Sequence, residues 1–453
     1  MKSMSKYIVV LLCSMLIVLS SCSVIENTQE IINENNTKVK EEVNNEDPKE
    51  SKAYEEVVQA NTYDTIENTL ISLNNIGGRL ISTEGNNKFI EELKEYMSAS
   101  FLGIELFLQP YNFSLTDEFI VNIQSGSEAV VTFSNNDALC KFINKGYLTE
   151  AAYVTNTLEN LDSSKKYILI TEDETQVESS KKYQNICLSL LGVDKVYLLQ
   201  NVIKVNTNYP TIINIEKPIL EKLDSLVGES VDLKIDILNK EIELQNVFAT
   251  IKGKESNNAI VITSHLDTTT ALGNNYSKGA IDNGSGVALN LDLLRKVYKE
   301  GNSSNYDLIF AFVNSEEGFL LKSSSGSMQL NNLLSQKYDN MLNINVDCLG
   351  EKDINILSYG FDGNINGDLI SNIIISQEKS NFTLEKSEYY TSDNMNFDNS
   401  IYFYNFDYHG ENRAIHTEND TIEMINIDNL EFISSFIYNV LIEILEIDSN
   451  SLF

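Results

Sequence analysis

The chain has 453 residues, with 33 Lys+Arg against 66 Asp+Glu and a formal net charge of −33. Its hydrophobic fraction of 42% is that of an ordinary globular protein, and at roughly 150 residues per domain its length suits two or three domains. The charge argues against nucleic acid and against docking on anionic lipid, since both need a basic surface.

None of the 5 Cys forms a C-x-x-C pair, which excludes zinc ribbons and thioredoxin motifs. Any histidine chemistry rests on His265, His409 and His416. Lys2 and Lys6 precede an apolar run from Tyr7 to Leu19. That run suits a secretory signal and is too short for a confident membrane span. It ends in Leu19-Ser20-Ser21-Cys22, a pattern similar to a bacterial lipobox. The expectation is cleavage before Cys22, a lipid on that cysteine and residence on the extracytoplasmic face of the cell membrane. No disulfide framework is expected among the remaining cysteines. Residues 23–60 are polar and acidic without periodicity, and read as a flexible tether.

The first predicted helix covers about Thr65 to Asn75, with Ile66, Leu70 and Leu73 on one face. Gly77-Gly78-Arg79 makes a turn, and a second helix carries Phe89, Leu93, Tyr96 and Met97 at helical spacing. Ile104 to Leu108 reads as a strand. Between about Phe113 and Lys240 the pattern is short strands and turns, including Tyr167–Ile170, Val196–Leu199 and the alternation of Val231, Leu233, Ile235 and Ile237. No cluster of ligand-type residues lies there, so this stretch is expected to be a domain without chemistry of its own.

From about Asn246 strands alternate with helices. Ala259–Ser264, Leu308–Val313, Leu342–Val346 and Ile401–Phe406 read as strands. Val287, Leu291, Leu294 and Tyr298 mark a helix that Gly301 stops, and a last helix covers about Asn429 to Leu445. The alternation predicts an α/β sheet covered by helices.

In such a sheet ligands bind outside the carboxyl ends of the strands. Those ends carry His265-Leu266-Asp267, then Glu316-Glu317, then Asp347, with His416 after the last strand and Asp282 in the Gly-rich turn before the Val287 helix. Singly, each has a bland reading: Glu-Glu pairs recur at Glu41-Glu42, Glu55-Glu56 and Glu91-Glu92, and Asp282 stands in turn-forming sequence. Together, two imidazoles and several carboxylates on one rim suit divalent zinc. Hydrolytic sites commonly hold two metals bridged by a carboxylate, and Asp282 is placed to bridge. Asp267 leaves the strand on the same side as His265 and can orient that imidazole or a neighbouring acid from behind.

The order His265-x-Asp267, Gly279-Ala280-x-Asp282-Asn283-x-Ser285-Gly286, Glu316-Glu317, Asn345-x-Asp347 and Ile415-His416-Thr417 resembles metallopeptidase family M28, the co-catalytic double-zinc aminopeptidases. Gly78-Arg79, Ser82 to Gly85, Asn246-Val247 and Ser392-Asp393 with Phe397 are similar too. The resemblance implies a three-layer zinc-peptidase sheet with helices on both faces, over 61–112 and 241–453. It implies an inserted β-rich domain of the protease-associated type over 113–240. By the same resemblance, His265 and Asp347 complete one of two zinc ions and Glu317 and His416 the other, with Asp282 shared. Glu316 is the general base for a metal-activated water, Asp267 supports it, and the substrates are peptides cut at the N-terminus.

The sequence departs from the family at Lys278, where proline is usual, and at Ile415, where some members carry an aromatic hydroxyl. His409 has no match. Two alternatives stand beside this reading: a glutaminyl-peptide cyclase-like enzyme with one zinc, and a peptide-binding surface lipoprotein without catalysis. Retention of both His265 and Asp347 weighs against the first, and the uneroded ligand set against the second.

Overall fold

The computed structural model describes residues 62–453 apart from 135–137, 144–146, 195–203, 206–208, 255–256, 270–275, 318–324, 379–381, 389 and 407–413. The expected signal and tether over 1–60, Cys22, the Val196–Leu199 run and His409 lie outside the described residues.

Helix α1 (Ile66–Ile76) begins at Thr65, whose hydroxyl accepts the Asn68 N–H at 3.0 Å, and buries Ile66, Leu70 and Leu73. Helix α2 (Glu84–Ser100) is capped in the same way by Thr83 and buries Phe89, Leu93 and Met97. Strand β1 (Glu105–Ser125) follows, then β2 (Glu128–Ser134), β3 (Ala138–Ile143), β4 (Tyr147–Thr155), β5 (Tyr167–Thr171), α3 (Glu174–Ser180), β6 (Ile186–Val193), β7 (Lys204–Val205), β8 (Thr211–Glu216), α4 (Lys217–Leu220) and β9 (Ser230–Ile251). β1 runs far beyond the Leu108 expected from its sequence. It pairs antiparallel with β9 from Glu105↔Thr250 to Gln124↔Asp232, so a distant partner satisfies its backbone along the whole length.

β9 belongs to two neighbourhoods. Its early residues pair with β4, from Tyr153↔Ser230 to Tyr147↔Asp236. Its last residues pair with β11 (Asp307–Val313), which continues the sheet of the second half. Around the early part, Phe119, Val121, Ile168, Leu188, Ile213, Leu233 and Ile235 form an apolar cluster of their own. There β5, β6 and β8 pair in parallel, with β4 parallel to β5.

The second half adds β10 (Asn258–His265), α5 (Gly286–Glu300), α6 (Gly326–Leu334), β12 (Asn340–Val346), β13 (Ile356–Asp362), α7 (Gly367–Ser376), β14 (Thr383–Lys386), β15 (Ser400–Tyr404), α8 (Ile427–Leu445) and α9 (Ser449–Leu452). Its strand order is β14-β13-β15-β12-β10-β11-β9. β10 pairs in parallel with both β11 and β12, and β12 with β15. Side chains alternate across the strands. Ile260, Ile262, Leu308, Phe310, Leu342 and Ile344 pack under residues of α1, α2, α5 and α8. Ala259, Val261, Ile309 and Ala311 face Leu330 and Leu334 of α6. This is the expected three-layer α/β arrangement. Each large apolar side chain sealed in these layers contributes about 1.5–3 kcal/mol of burial.

Cys140, Cys187 and Cys348 are buried and form no disulfide among the described residues. Among the described residues no helix is long and apolar enough to cross a membrane.

Candidate metal centre

Parallel β10, β11 and β12 deliver their carboxyl ends to one rim. His265 ends β10, Ser315-Glu316-Glu317 follows β11, and Asp347 follows β12. Asp282 lies in the turn ahead of α5, and His416 in the segment after β15. The structure brings all of these together. The Asp282 carboxylate divides between two imidazoles: Oδ1 is 3.1 Å from His265 Nε2, and Oδ2 is 2.8 Å from His416 Nε2. Asp347 Oδ1 is 3.5 Å from His265 Nε2, and Glu317 Oε2 is 3.5 Å from His416 Nε2. His265, Asp282 and Asp347 form one triplet able to hold an ion, and Asp282, Glu317 and His416 a second, each with ligand atoms within 4.8 Å of one another.

Both triplets fit a cation. His265 Nε2, Asp347 Oδ1 and both Glu317 carboxylate oxygens are buried without a hydrogen-bond partner. Left so, each costs desolvation that a bound metal offsets. Nitrogen and oxygen donors of this kind suit a divalent transition metal such as zinc.

The electrostatics agree. Burial pushes Glu316 well above the ordinary carboxylate range, with His265 opposing and Asp393, Asp347 and Asp282 adding to the push. Glu317 is raised by burial, Asp282 and Glu316. Burial works against charge on His265, yet Asp347, Asp267 and Asp282 raise its pKa above the usual value. Burial would also raise Asp282, but the two imidazoles of His265 and His416 beside it win and hold it low. Protein groups alone leave surplus negative charge here, which divalent ions would neutralise.

Asp267 acts differently from a simple imidazole orienter. Its main-chain carbonyl, at 3.1 Å, is nearer His265 Nδ1 than its carboxylate at 3.7 Å. The carboxylate instead accepts the backbone N–H groups of Glu316 and Glu317, at 3.1 and 3.0 Å. Asn283 and Ser285 bind the Asp282 turn to the end of β12. Asn283 donates to Val346 O at 3.1 Å, and Ser285 Oγ accepts the Leu349 N–H at 2.8 Å. The Ser392 hydroxyl donates to Asp347. Asp420 accepts the N–H groups of Ile281 at 2.6 Å and Asp282 at 3.2 Å. Burial pushes both Asp420 and Asp393 up to about 7.

Three backbone outliers border the site. Ser315, Cys348 and His416 have φ of 58°, 53° and 61°. For L-residues that conformation costs about 1–2 kcal/mol each. Their neighbours over-determine it, as when Tyr111 from β1 places its hydroxyl 2.9 Å from Ser315 Oγ and donates to Asn314 O at 3.1 Å. Sequence reasoning missed Tyr111 and Asn314, and no local pattern signals them, because the contact spans about two hundred residues.

One known structure that the fold resembles is that of a zinc aminopeptidase from Bacillus subtilis. It is 18% identical, covers 86% of this chain and 98% of its own, and has a TM-score of 0.64. An aminopeptidase from Aneurinibacillus sp. strain AM-1 is similar at 19% identity, 85% and 94% coverage and a TM-score of 0.56. A peptidase M28 precursor from Shewanella amazonensis is similar at 15% identity, 86% and 94% coverage and a TM-score of 0.54. These likenesses concern the fold. No curated protein sequence matches the chain. The model of peptidase family M28 matches residues 246–441, the span that contains every ligand-type group from His265 to His416, so this stretch is similar to the peptidase domain of that family.

Proposed function

We propose that this chain is a zinc-dependent aminopeptidase of family M28 that uses two zinc ions and removes N-terminal residues from peptides. The observation that carries the reading is the divided Asp282 carboxylate, with one oxygen toward His265 and the other toward His416. In this reading His265, Asp282 and Asp347 hold one zinc, and Asp282, Glu317 and His416 hold the other. Bound zinc supplies Lewis acidity toward the scissile carbonyl and acidifies the attacking water. Glu316 takes the proton from that water and returns it to the leaving amine. Its burial and raised pKa suit a group that must carry a proton between two steps. Asp267 holds Glu316 in place through the backbone. The acidic rim favours a free, positively charged α-amine, which makes the action exopeptidic.

The test is metal content together with turnover of aminoacyl nitroanilides by the purified chain. Two zincs per chain and release from the N-terminus are expected, and Glu316→Ala is expected to lose at least about 10²-fold in kcat. One zinc with pyroglutamate formation would replace this reading by a cyclase. Peptide binding without zinc or turnover would replace it by a binding protein.

We also propose, from the Leu19–Cys22 pattern, export and lipid anchoring at Cys22. Incorporation of labelled fatty acid into the wild type and its loss in Cys22→Ala is the expected result. Equal labelling of both would overturn it.

A further inference from the structure

We infer that Arg79 is a positioning residue that fixes the loop carrying His265 against the turn carrying Asp282 by gripping, with one guanidinium, the main chain of both. The inference rests on the two-zinc reading above.

Arg79 is fully buried. Its Nε donates to Leu266 O at 2.9 Å, the carbonyl between His265 and Asp267. Its Nη1 donates to Lys278 O at 2.7 Å and its Nη2 to Gly279 O at 3.0 Å, just ahead of Asp282. The backbone is tied to the same loop. Arg79 N donates to Thr268 Oγ1 at 2.9 Å, and Thr268 N donates to Arg79 O at 3.3 Å. One planar fork therefore spans the loop that carries His265 and the turn that carries Asp282.

The turn is accommodated to this fork. Gly279 has φ of +59°, and a Cβ there would lie 3.0 Å from Arg79 Nη2 and 2.4 Å from Asp282 O. The turn's carbonyls go to Arg79 while its N–H groups at Ile281 and Asp282 go to Asp420, four residues beyond His416. The two supports come from remote segments and meet on the turn that carries Asp282, the residue common to both triplets. The α2 side chain Phe89 lies under the guanidinium, 5.9 Å from its centre, and Asn86 donates to Arg79 O at 3.0 Å.

The chemistry requires arginine. Three carbonyls on two strands of chain need a rigid planar donor set, and a lysine offers a single point of charge on a flexible stem. The charge also counts. Asp420, Asp267 and Asp282 are the acids that act on Arg79 most strongly, and burial lowers its pKa only to about 10, so it stays cationic at neutral pH. It is a fixed positive group behind an acidic metal site, and its guanidinium donates to main-chain carbonyls rather than to the proposed ligand atoms.

The experiment compares full-length wild type with Arg79→Lys, Arg79→Met and Arg79→Ala. Zinc binding to the metal-stripped proteins is followed by calorimetry, folding by circular dichroism, and kcat and KM are measured separately. Both Arg79→Lys and Arg79→Met are expected to fold and to bind at least one of the two zincs about 10–100-fold more weakly, the usual cost of losing a residue that orients ligands from behind. kcat should fall in parallel, with KM changed by less than about 3-fold, as expected of a residue that acts through the metal-bearing main chain. Millimolar guanidinium should restore zinc affinity in Arg79→Ala and leave Arg79→Met unrestored, since its side chain fills the space. If Arg79→Met does not fold, Arg79→Lys decides, since it keeps the charge and loses the fork. Wild-type zinc affinity in Arg79→Lys would overturn the inference. A wild type that binds fewer than two zincs would overturn the functional reading, and this one with it.

Discussion

Asp267 Oδ1 accepts the backbone N–H of Glu316 at 3.1 Å, and its other oxygen accepts that of Glu317 at 3.0 Å. One buried carboxylate thereby fixes two adjacent residues with different proposed duties. Asp267→Asn would turn one acceptor into an NH₂ facing a backbone N–H. We expect kcat to drop about 10–100-fold with zinc content unchanged. Steady-state kinetics beside elemental analysis checks this. An unchanged kcat would mean that the turn after β11 holds Glu316 without help.

Stability of the metal-stripped protein should fall as pH rises. Burial holds Glu316 and Glu317 above their ordinary values and pushes Asp393 and Asp420 up to about 7. For a group whose pKa is raised on folding, the stabilising contribution is full below the unfolded value and is lost as pH rises through the folded one. For the two aspartates that window runs from about 4, their unfolded value, to about 7. We expect the stripped protein to melt roughly 5 °C lower at pH 8 than at pH 5. Zinc should raise Tm more at pH 8, because it binds the ionised ligands. Melting curves of stripped and zinc-loaded protein at both pH values test the sign, and a stripped protein more stable at pH 8 would contradict it.

Gly286 opens α5 where no side chain fits. A Cβ there would meet Asn283 Oδ1 at 2.2 Å and Val346 O at 2.4 Å. Gly286→Ala must displace Asn283, which accepts the Gly286 N–H at 3.0 Å and donates to Val346 O. We expect a loss of about 1–3 kcal/mol in urea unfolding, as for other overpacked sites, with weakened zinc binding. Normal stability and metal content would show that the turn relaxes freely.

Tyr111 reaches from β1 to the strained Ser315 turn, donating to Asn314 O at 3.1 Å. Tyr111→Phe removes the hydroxyl and keeps the ring. We expect about 1 kcal/mol of destabilisation and a several-fold loss of kcat through Glu316, read by urea titration and kinetics. Unchanged values in both would leave the turn held by Asn246 and Asn86, which bond Asn314 from the other side.

The strands and helices of the second half were legible because a doubly buried strand must be apolar throughout and a covering helix must repeat at 3.6 residues. Leu308–Val313 and the Val287–Leu294 face are such cases, and both are sealed in the structure. The ligand-type residues were legible for a related reason. Parallel strands send their carboxyl ends to one rim, so His265, Glu316, Glu317 and Asp347 could be placed from strand order alone. The extent of β1 was not legible. It depends on β9, more than a hundred residues away, and hydrogen bonding between backbones leaves little trace in side-chain pattern.

The sequence by itself determined which groups meet: two histidines, their carboxylates and the sheet that gathers them. Only the tertiary structure decided how they are held. Asp282 divides between two imidazoles, Asp267 serves backbone donors, and Arg79 and Asp420 take opposite polarities of one turn. The bonds of Asp267, Arg79 and Asp420 join residues up to 200 positions apart, through main-chain atoms common to every amino acid. Pattern along a chain reports burial and period. It carries no record of which remote carbonyl a buried guanidinium meets, since that is settled when the layers pack.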